Sequence, residues 1–133
     1  SQVTIVKEPV EICSRVSVLG PLGDAIVEQA LVVDTDKGLI LFVGCAHPGI
    51  VAIARKAREE LNRDIYMICG GMHLNRSSED EVKDIIGKLH ELGVKAVAPS
   101  HCTGDKAIVL FREAFGENFR QMGVGQLLRI QAE

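Results

Sequence analysis

Leu39-Ile40-Leu41-Phe42-Val43-Gly44-Cys45-Ala46-His47-Pro48-Gly49 is the stretch whose reading decides the fold. Five apolar residues without alternation suit a central strand covered on both faces. A turn follows, and Pro48 suits the first turn of a helix. The same order recurs twice. Ile65-Tyr66-Met67-Ile68-Cys69 runs into Gly70-Gly71-Met72-His73, and Val94-Lys95-Ala96-Val97-Ala98-Pro99 runs into Ser100-His101-Cys102. The three histidines are spaced 26 and 28 residues apart (47 to 73, 73 to 101), about one strand-plus-helix unit each. Parallel strands joined by right-handed crossovers end on one edge of their sheet. Open α/β sheets bind ligands at that edge. Imidazoles gathered there point to a metal or acid–base site.

Working outward, Gln29–Thr35, the turn Asp36-Lys37-Gly38 and Leu39–Val43 read as a β-hairpin, with glycine where a positive φ is needed. Upstream, Val3–Val6 and Val10–Val18 read as two short, imperfect strands or an irregular arm. Gly20-Pro21-Leu22-Gly23-Asp24 is a loop, so residues 1–24 form a strand-like arm and loop. Downstream, Ile50, Ile53, Ala54, Ala57 and Leu61 make a one-sided helical stripe up to Asn62. Ser78 and Glu81 form a capping box before Val82, Ile85, Ile86, Leu89 and Leu92, and Gly93 stops that helix. Thr103 opens a third helix carrying Ala107, Ile108, Phe111 and Phe115, and Gln126–Gln131 reads as a closing strand. The expectation is a single α/β domain over residues 1–133: a mixed β-sheet with helices mainly on one face.

Composition limits what such a domain can do. At 133 residues, 47% hydrophobic and 25% charged, the chain has the length and balance of one globular domain. A net charge of −3 with no Lys/Arg cluster argues against a nucleic-acid partner. The apolar runs are too short to span a bilayer, and no basic segment followed by an apolar one opens the chain. Four cysteines, Cys13, Cys45, Cys69 and Cys102, contain no CxxC pair, which suits reduced thiols and a cytoplasmic location.

Each strand-end histidine has an alternative to a chemical role. His47 is a candidate zinc or iron ligand, or a helix-entry residue capping backbone amides. His73 follows two glycines that let the backbone turn tightly or approach a ligand; it is otherwise an exposed loop residue. His101 is a candidate ligand or general acid crowded by Ser100, Cys102 and Thr103. His90 falls mid-helix off the apolar stripe and reads as solvated. Cys45 beside an imidazole or metal is a nucleophile, a ligand or a small space-filler, and Cys69 is a small buried apolar residue. Asp24, Glu28, Asp34, Asp36 and Asp105 are available carboxylates, but no spacing singles out a pair. GxSxG, P-loop and GxGxxG patterns are absent, and Gly123-Val124-Gly125 precedes an expected strand, so it is a turn.

Taken together, Glu28-Gln29-Ala30-Leu31-Val32-Val33, Gly44-Cys45-Ala46-His47-Pro48-Gly49-Ile50, Gly70-Gly71-Met72-His73-Leu74 and Pro99-Ser100-His101-Cys102-Thr103-Gly104 resemble one group. They look like the C-terminal half of the metallo-β-lactamase superfamily, in the branch related to the dihydropterin ribofuranosylaminobenzene phosphate synthases. The resemblance covers roughly residues 8 to 131. It implies half of an αβ/βα sandwich with a metal site at one edge, holding a divalent ion (zinc, with iron or manganese as alternatives). It casts His101 as the last metal histidine and His47 as a mid-chain ligand. Cys45 falls where many relatives carry a bridging aspartate, and His73 lines the pocket. The implied ligand set is His47, His101, His73 and Cys45, with Cys45 and His73 as catalytic candidates.

The departure is the HxHxDH signature of the N-terminal half, since no two histidines here are two residues apart. The chain therefore carries half a site. A half-sandwich also leaves one sheet face apolar, which implies a homodimer or pairing with a separate N-terminal half. Three functions follow. One is a metal-dependent hydrolase, or part of one, acting on a pterin or phosphorylated small molecule. Another is a non-catalytic half-domain that assembles with a partner. The third is a thiol enzyme using Cys45 or Cys102.

Overall fold

A computed structural model describes residues 2–130. Six strands form one sheet whose spatial order repeats the chain order. They are β1 (Val10–Cys13), β2 (Val16–Val18), β3 (Leu31–Thr35), β4 (Gly38–Val43), β5 (Ile65–Gly71) and β6 (Ala96–Ser100). Strands β1 to β4 pair antiparallel, whereas β4, β5 and β6 are parallel. Helices α1 (Ile50–Leu61) and α2 (Glu79–Glu91) are the crossovers, and α3 (Asp105–Phe115) follows β6. The sheet is mixed and the fold α/β, as the run-turn-helix pattern predicts.

Local chemistry explains the helices. In α1 the stripe buries Ile50, Ile53, Ala54 and Ala57. The reciprocal capping box of Ser78 and Glu81 is formed at the start of α2, satisfying two amides that the helix leaves open. Acidic Glu79, Asp80 and Glu81 fill the first turn of α2, where the helix dipole favours negative charge. The Gly93 N–H closes on the His90 carbonyl at its end. His90 itself is exposed, its ring stacked on Phe115 at 4.5 Å.

The two faces of the sheet are packed differently. Between sheet and helices lies the main core, including Leu41, Ile50, Ile65, Ile68, Leu89, Val97 and Phe111. On the other face Ile40, Met67, Cys69, Ala96 and Ala98 are covered by Met122, Leu128 and Ile130 of the C-terminal segment. That face is apolar, as expected, but this chain covers part of it.

Four expectations need correction. No closing strand forms over 126–130, and Gln131 lies outside the described residues. Phe119 makes one bridge to Val97, and beyond it the apolar side chains pack down onto the sheet face instead of extending its edge. Val3–Val6 is not a strand, and only Val10–Cys13 and Val16–Val18 pair. Pro48 sits in a turn ahead of α1, closed by the Gly49 N–H on the Ala46 carbonyl at 2.9 Å. Thr103 ends a short 3-10 turn, His101–Thr103, and α3 begins at Asp105. Its hydroxyl is needed elsewhere: it donates to the Ser100 carbonyl at 2.7 Å and accepts from the Met72 N–H at 3.1 Å.

Candidate metal centre

The loops after β4, β5 and β6 meet at the C-terminal edge of the parallel strands. What lets them meet is the glycine pair at the end of β5. Gly70 has φ 126°, and a Cβ there would lie 2.0 Å from the Val43 carbonyl oxygen. A Cβ on Gly71 would meet Cys102 Sγ at 2.5 Å, the Gly44 carbonyl oxygen at 2.7 Å and His101 Cε1 at 2.7 Å. The central strand thus ends in a gap across which its neighbours approach each other. Among the described residues, two of the four non-glycine residues with positive φ, Ala46 (59°) and His73 (49°), lie in these loops. Backbone held in sparsely populated regions concentrates where the surroundings enforce a special geometry.

Five donor side chains gather here. The ligand atoms of Cys45, His101 and Cys102 all lie within 4.8 Å of one another, as do those of Glu28, Cys45 and His47. Cys45 is common to both sets. Its Sγ is 3.3 Å from His101 Nε2, and the Cys102 thiol points to the Cys45 carbonyl at 3.7 Å. The other ring nitrogen of His101, Nδ1, contacts Ser100 Oγ at 3.1 Å. His47 Nδ1 is hydrogen-bonded to Glu28 Oε1, and the His47 backbone N–H donates to Glu28 Oε2 at 3.2 Å. A carboxylate on one imidazole nitrogen sets the ring's orientation and directs the other nitrogen to a ligand.

His73 stands apart from both donor sets. Its ring packs against that of His47, centroids 4.4 Å apart, and both line a cavity of about 430 Å³ between α1 and α2. Ile50, Val51, Met72, Leu74 and Ile85 form apolar walls there, with Arg55 and Lys88 also in the lining.

Two participants were not singled out from the sequence. Glu28 was one available carboxylate among several. The hairpin register held the signal: Leu31 pairs with Phe42, so three residues back along the chain from Leu31 faces three residues on from Phe42, which places Glu28 opposite Cys45. The mutual backbone hydrogen bonds of Leu22 and Glu28, both 2.9 Å, hold it there. From the sequence Cys102 reads as a nucleophile and not as a ligand.

A hydrogen bond with Cys102, partial desolvation and the Glu28 carboxylate hold the Cys45 thiol above its ordinary pKa. Without a positive partner this thiol is protonated at neutral pH and a poor nucleophile. Burial alone pushes the Cys69 thiol up to about 11.

The donor set fits a divalent metal. Thiolate and imidazole together suit zinc and neighbouring transition ions better than magnesium or calcium, which take oxygen ligands. Tetrahedral zinc with ordinary bond lengths separates a sulfur from a nitrogen ligand by about 3.5 Å and two sulfurs by about 3.8 Å. The 3.3 Å contact of Cys45 with His101 matches this spacing.

No family model matches the chain. Over 104 residues, 77% of its length, it is 38% identical to the 7,8-dihydropterin-6-methyl-4-(beta-D-ribofuranosyl)-aminobenzene-5'-phosphate synthase of Methanocaldococcus jannaschii. It spans 35% of that relative's length. A solved structure described as a metal-dependent hydrolase of the beta-lactamase superfamily matches 96% of this chain with a TM-score of 0.89 and 32% identity. The match takes in 58% of that protein. In sequence and in backbone alike, the chain resembles this metal-dependent hydrolase of the beta-lactamase superfamily, and its mixed sheet and helices match a portion of that protein.

Proposed function

We propose that the chain is a portion of a metal-dependent hydrolase acting on a pterin or a phosphorylated small molecule. The observation that carries this reading is the convergence of Glu28, Cys45, His47, His101 and Cys102 at one sheet edge. Cys45, His47 and His101 would hold the metal, with Glu28 orienting His47. A divalent ion there would polarise a substrate oxygen and lower the pKa of bound water. The chain's own residues do the rest. Glu28 fixes one tautomer of His47. The neighbouring cavity offers apolar walls for a flat ring, the imidazole of His73, and Arg55 and Lys88 for an anionic group. The pterin and phosphate in the name of the Methanocaldococcus jannaschii relative support the substrate class, and the description of the solved structure supports metal-dependent hydrolysis. Zinc is the ion favoured by the thiol, with iron or manganese as alternatives.

Metal analysis of the purified protein tests the reading. Stoichiometric zinc, iron or manganese, or uptake on titration, is expected. No metal and no uptake would overturn it.

For a thiol enzyme acting through Cys45, the neighbouring Cys102 and the Glu28 carboxylate work against the thiolate. The unpaired cysteines suit a reducing compartment, so we place the protein in the cytoplasm. No helix among the described residues is long and apolar enough to cross a membrane.

We also propose association, as a homodimer or with a separate N-terminal half. Val10, Val18, Leu31 and Phe42 stand in one cross-strand row that continues into Cys69 and Ala98. The inner end of that row is covered, but Val10 and Phe42 are 43% and 40% exposed. Light scattering at tens of micromolar, a concentration at which a specific interface of standard size is populated, is expected to show more than a monomer. A stable monomer that also ignores an added N-terminal half would remove this proposal.

A further inference from the structure

Cys102 lies outside the ligand set of the reading above, yet its sulfur belongs to one of the two donor groups. We infer that Cys45, His101 and Cys102 form a self-contained three-donor site for a thiophilic divalent metal, built wholly from this chain. The inference rests on the metal-dependent reading and goes further, because it makes the site bis-thiolate and complete within the residues of this chain.

Three observations carry it. First, the three ligand atoms lie within 4.8 Å of one another, and a single small ion can draw such a group together with modest side-chain rotations. Second, the fold makes room for that arrangement. Gly71 leaves unoccupied the position from which a Cβ would strike both Cys102 Sγ and His101 Cε1, so β4 and β6 present their thiols to each other across the end of β5. Third, the positions of the donors are enforced. Thr103 ties the Cys102 turn to the Ser100 carbonyl and the Met72 amide, and the Gly71 N–H donates to the Gly44 carbonyl at 2.9 Å, next to Cys45. Two sulfurs and one imidazole are a known three-ligand arrangement for zinc that leaves a fourth position open. Soft sulfur donors also select against manganese and magnesium.

Cobalt(II) is the probe, since it takes the same geometry as zinc and reports its ligands by absorbance. Titrating the purified, reduced chain is expected to give visible ligand-field bands and an intense near-ultraviolet band from sulfur-to-cobalt charge transfer. Cys102→Ser and Cys45→Ser should each lower that band by about half, one of two thiolates being lost. Cys13→Ser, which removes a thiol outside both donor groups, should leave it unchanged. A second measurement needs no variant: one equivalent of zinc should protect Cys45 and Cys102 from alkylation, mapped by mass spectrometry, while the exposed Cys13 still reacts. Cobalt bound without the near-ultraviolet band, or zinc that protects neither thiol, would overturn the inference and leave the metal-dependent reading standing. Absence of any cobalt or zinc uptake would overturn both.

Discussion

The two ends of the parallel strands in this sheet are built on opposite principles. At the N-terminal end lies the larger cavity, about 610 Å³, lined by Asp36, Lys37, Arg55, Arg58, Glu59, Arg63 and Asp64 among others. Its charges largely answer one another: Arg58 pairs with Asp64 at 3.3 Å, Arg63 with Asp34 at 3.0 Å, and Lys37 lies over the Tyr66 ring. At the C-terminal end the space is smaller, and the thiols, imidazoles and one carboxylate beside it gather into two groups of possible metal ligands. Size therefore does not mark the site. A hollow whose charges are mutually satisfied has little left for a ligand, whereas donors held together by strained backbone have been placed there at a cost.

Gly70→Ala should break the comparison most severely. The new Cβ meets a carbonyl oxygen at 2.0 Å with φ at 126°, so neither backbone nor partner can yield cheaply. A loss above about 4 kcal/mol in urea unfolding is expected, from backbone strain added to a steric clash. Thr103→Val keeps the shape and removes the hydroxyl. It leaves the Met72 amide and the Ser100 carbonyl unpaired in the interior, and about 2–3 kcal/mol should be lost.

Glu28→Gln sharpens the comparison by leaving the fold intact and weakening the orientation of His47. Zinc affinity measured by competition should fall about 10- to 100-fold, as when a ligand's supporting carboxylate is lost. An unchanged affinity would place His47 outside the metal's reach.

Cys69 gives a pH-dependent effect. Its thiol ionises near 9 when unfolded but only at about 11 in the fold, so the unfolded chain loses its proton first. The associated stability is fully present below pH 9 and declines as pH rises towards 11, by at most about 2 kcal/mol given its partial burial. Unfolding of the wild type and Cys69→Ala at pH 8 and 10.5 reads this directly: the variant should lose less. Arg63→Ala, at the opposite end, should cost under about 1 kcal/mol, because that ion pair is solvent-exposed. It should leave metal binding untouched.

Much of this was legible in the chain because parallel β-α units carry their own punctuation. Leu39–Val43 and Ile65–Cys69 are strands that periodicity and length mark out, and Ser78 with Glu81 marks a helix start by a mechanism that works locally. The hairpin and the three strand-end histidines follow from the same local rules. What stayed hidden depends on partners distant in sequence. Glu28 lies 19 residues before His47, and only the β3–β4 register brings it across. Gly71 and Cys102 are 31 residues apart, and their closeness depends on the β5–β6 register. The stretch 126–130 reads as a strand because its apolar residues alternate, but alternation cannot distinguish pairing at an edge from lying across a face.

Because each strand hydrogen-bonds to the one before it in the chain, the sheet can grow outward one neighbour at a time. Pairing between neighbours in the chain suits assembly during synthesis, each segment docking as it emerges. It also means that trimming the amino terminus through Val18 removes an outer margin, while the three strands that carry the donors keep all their lateral bonds.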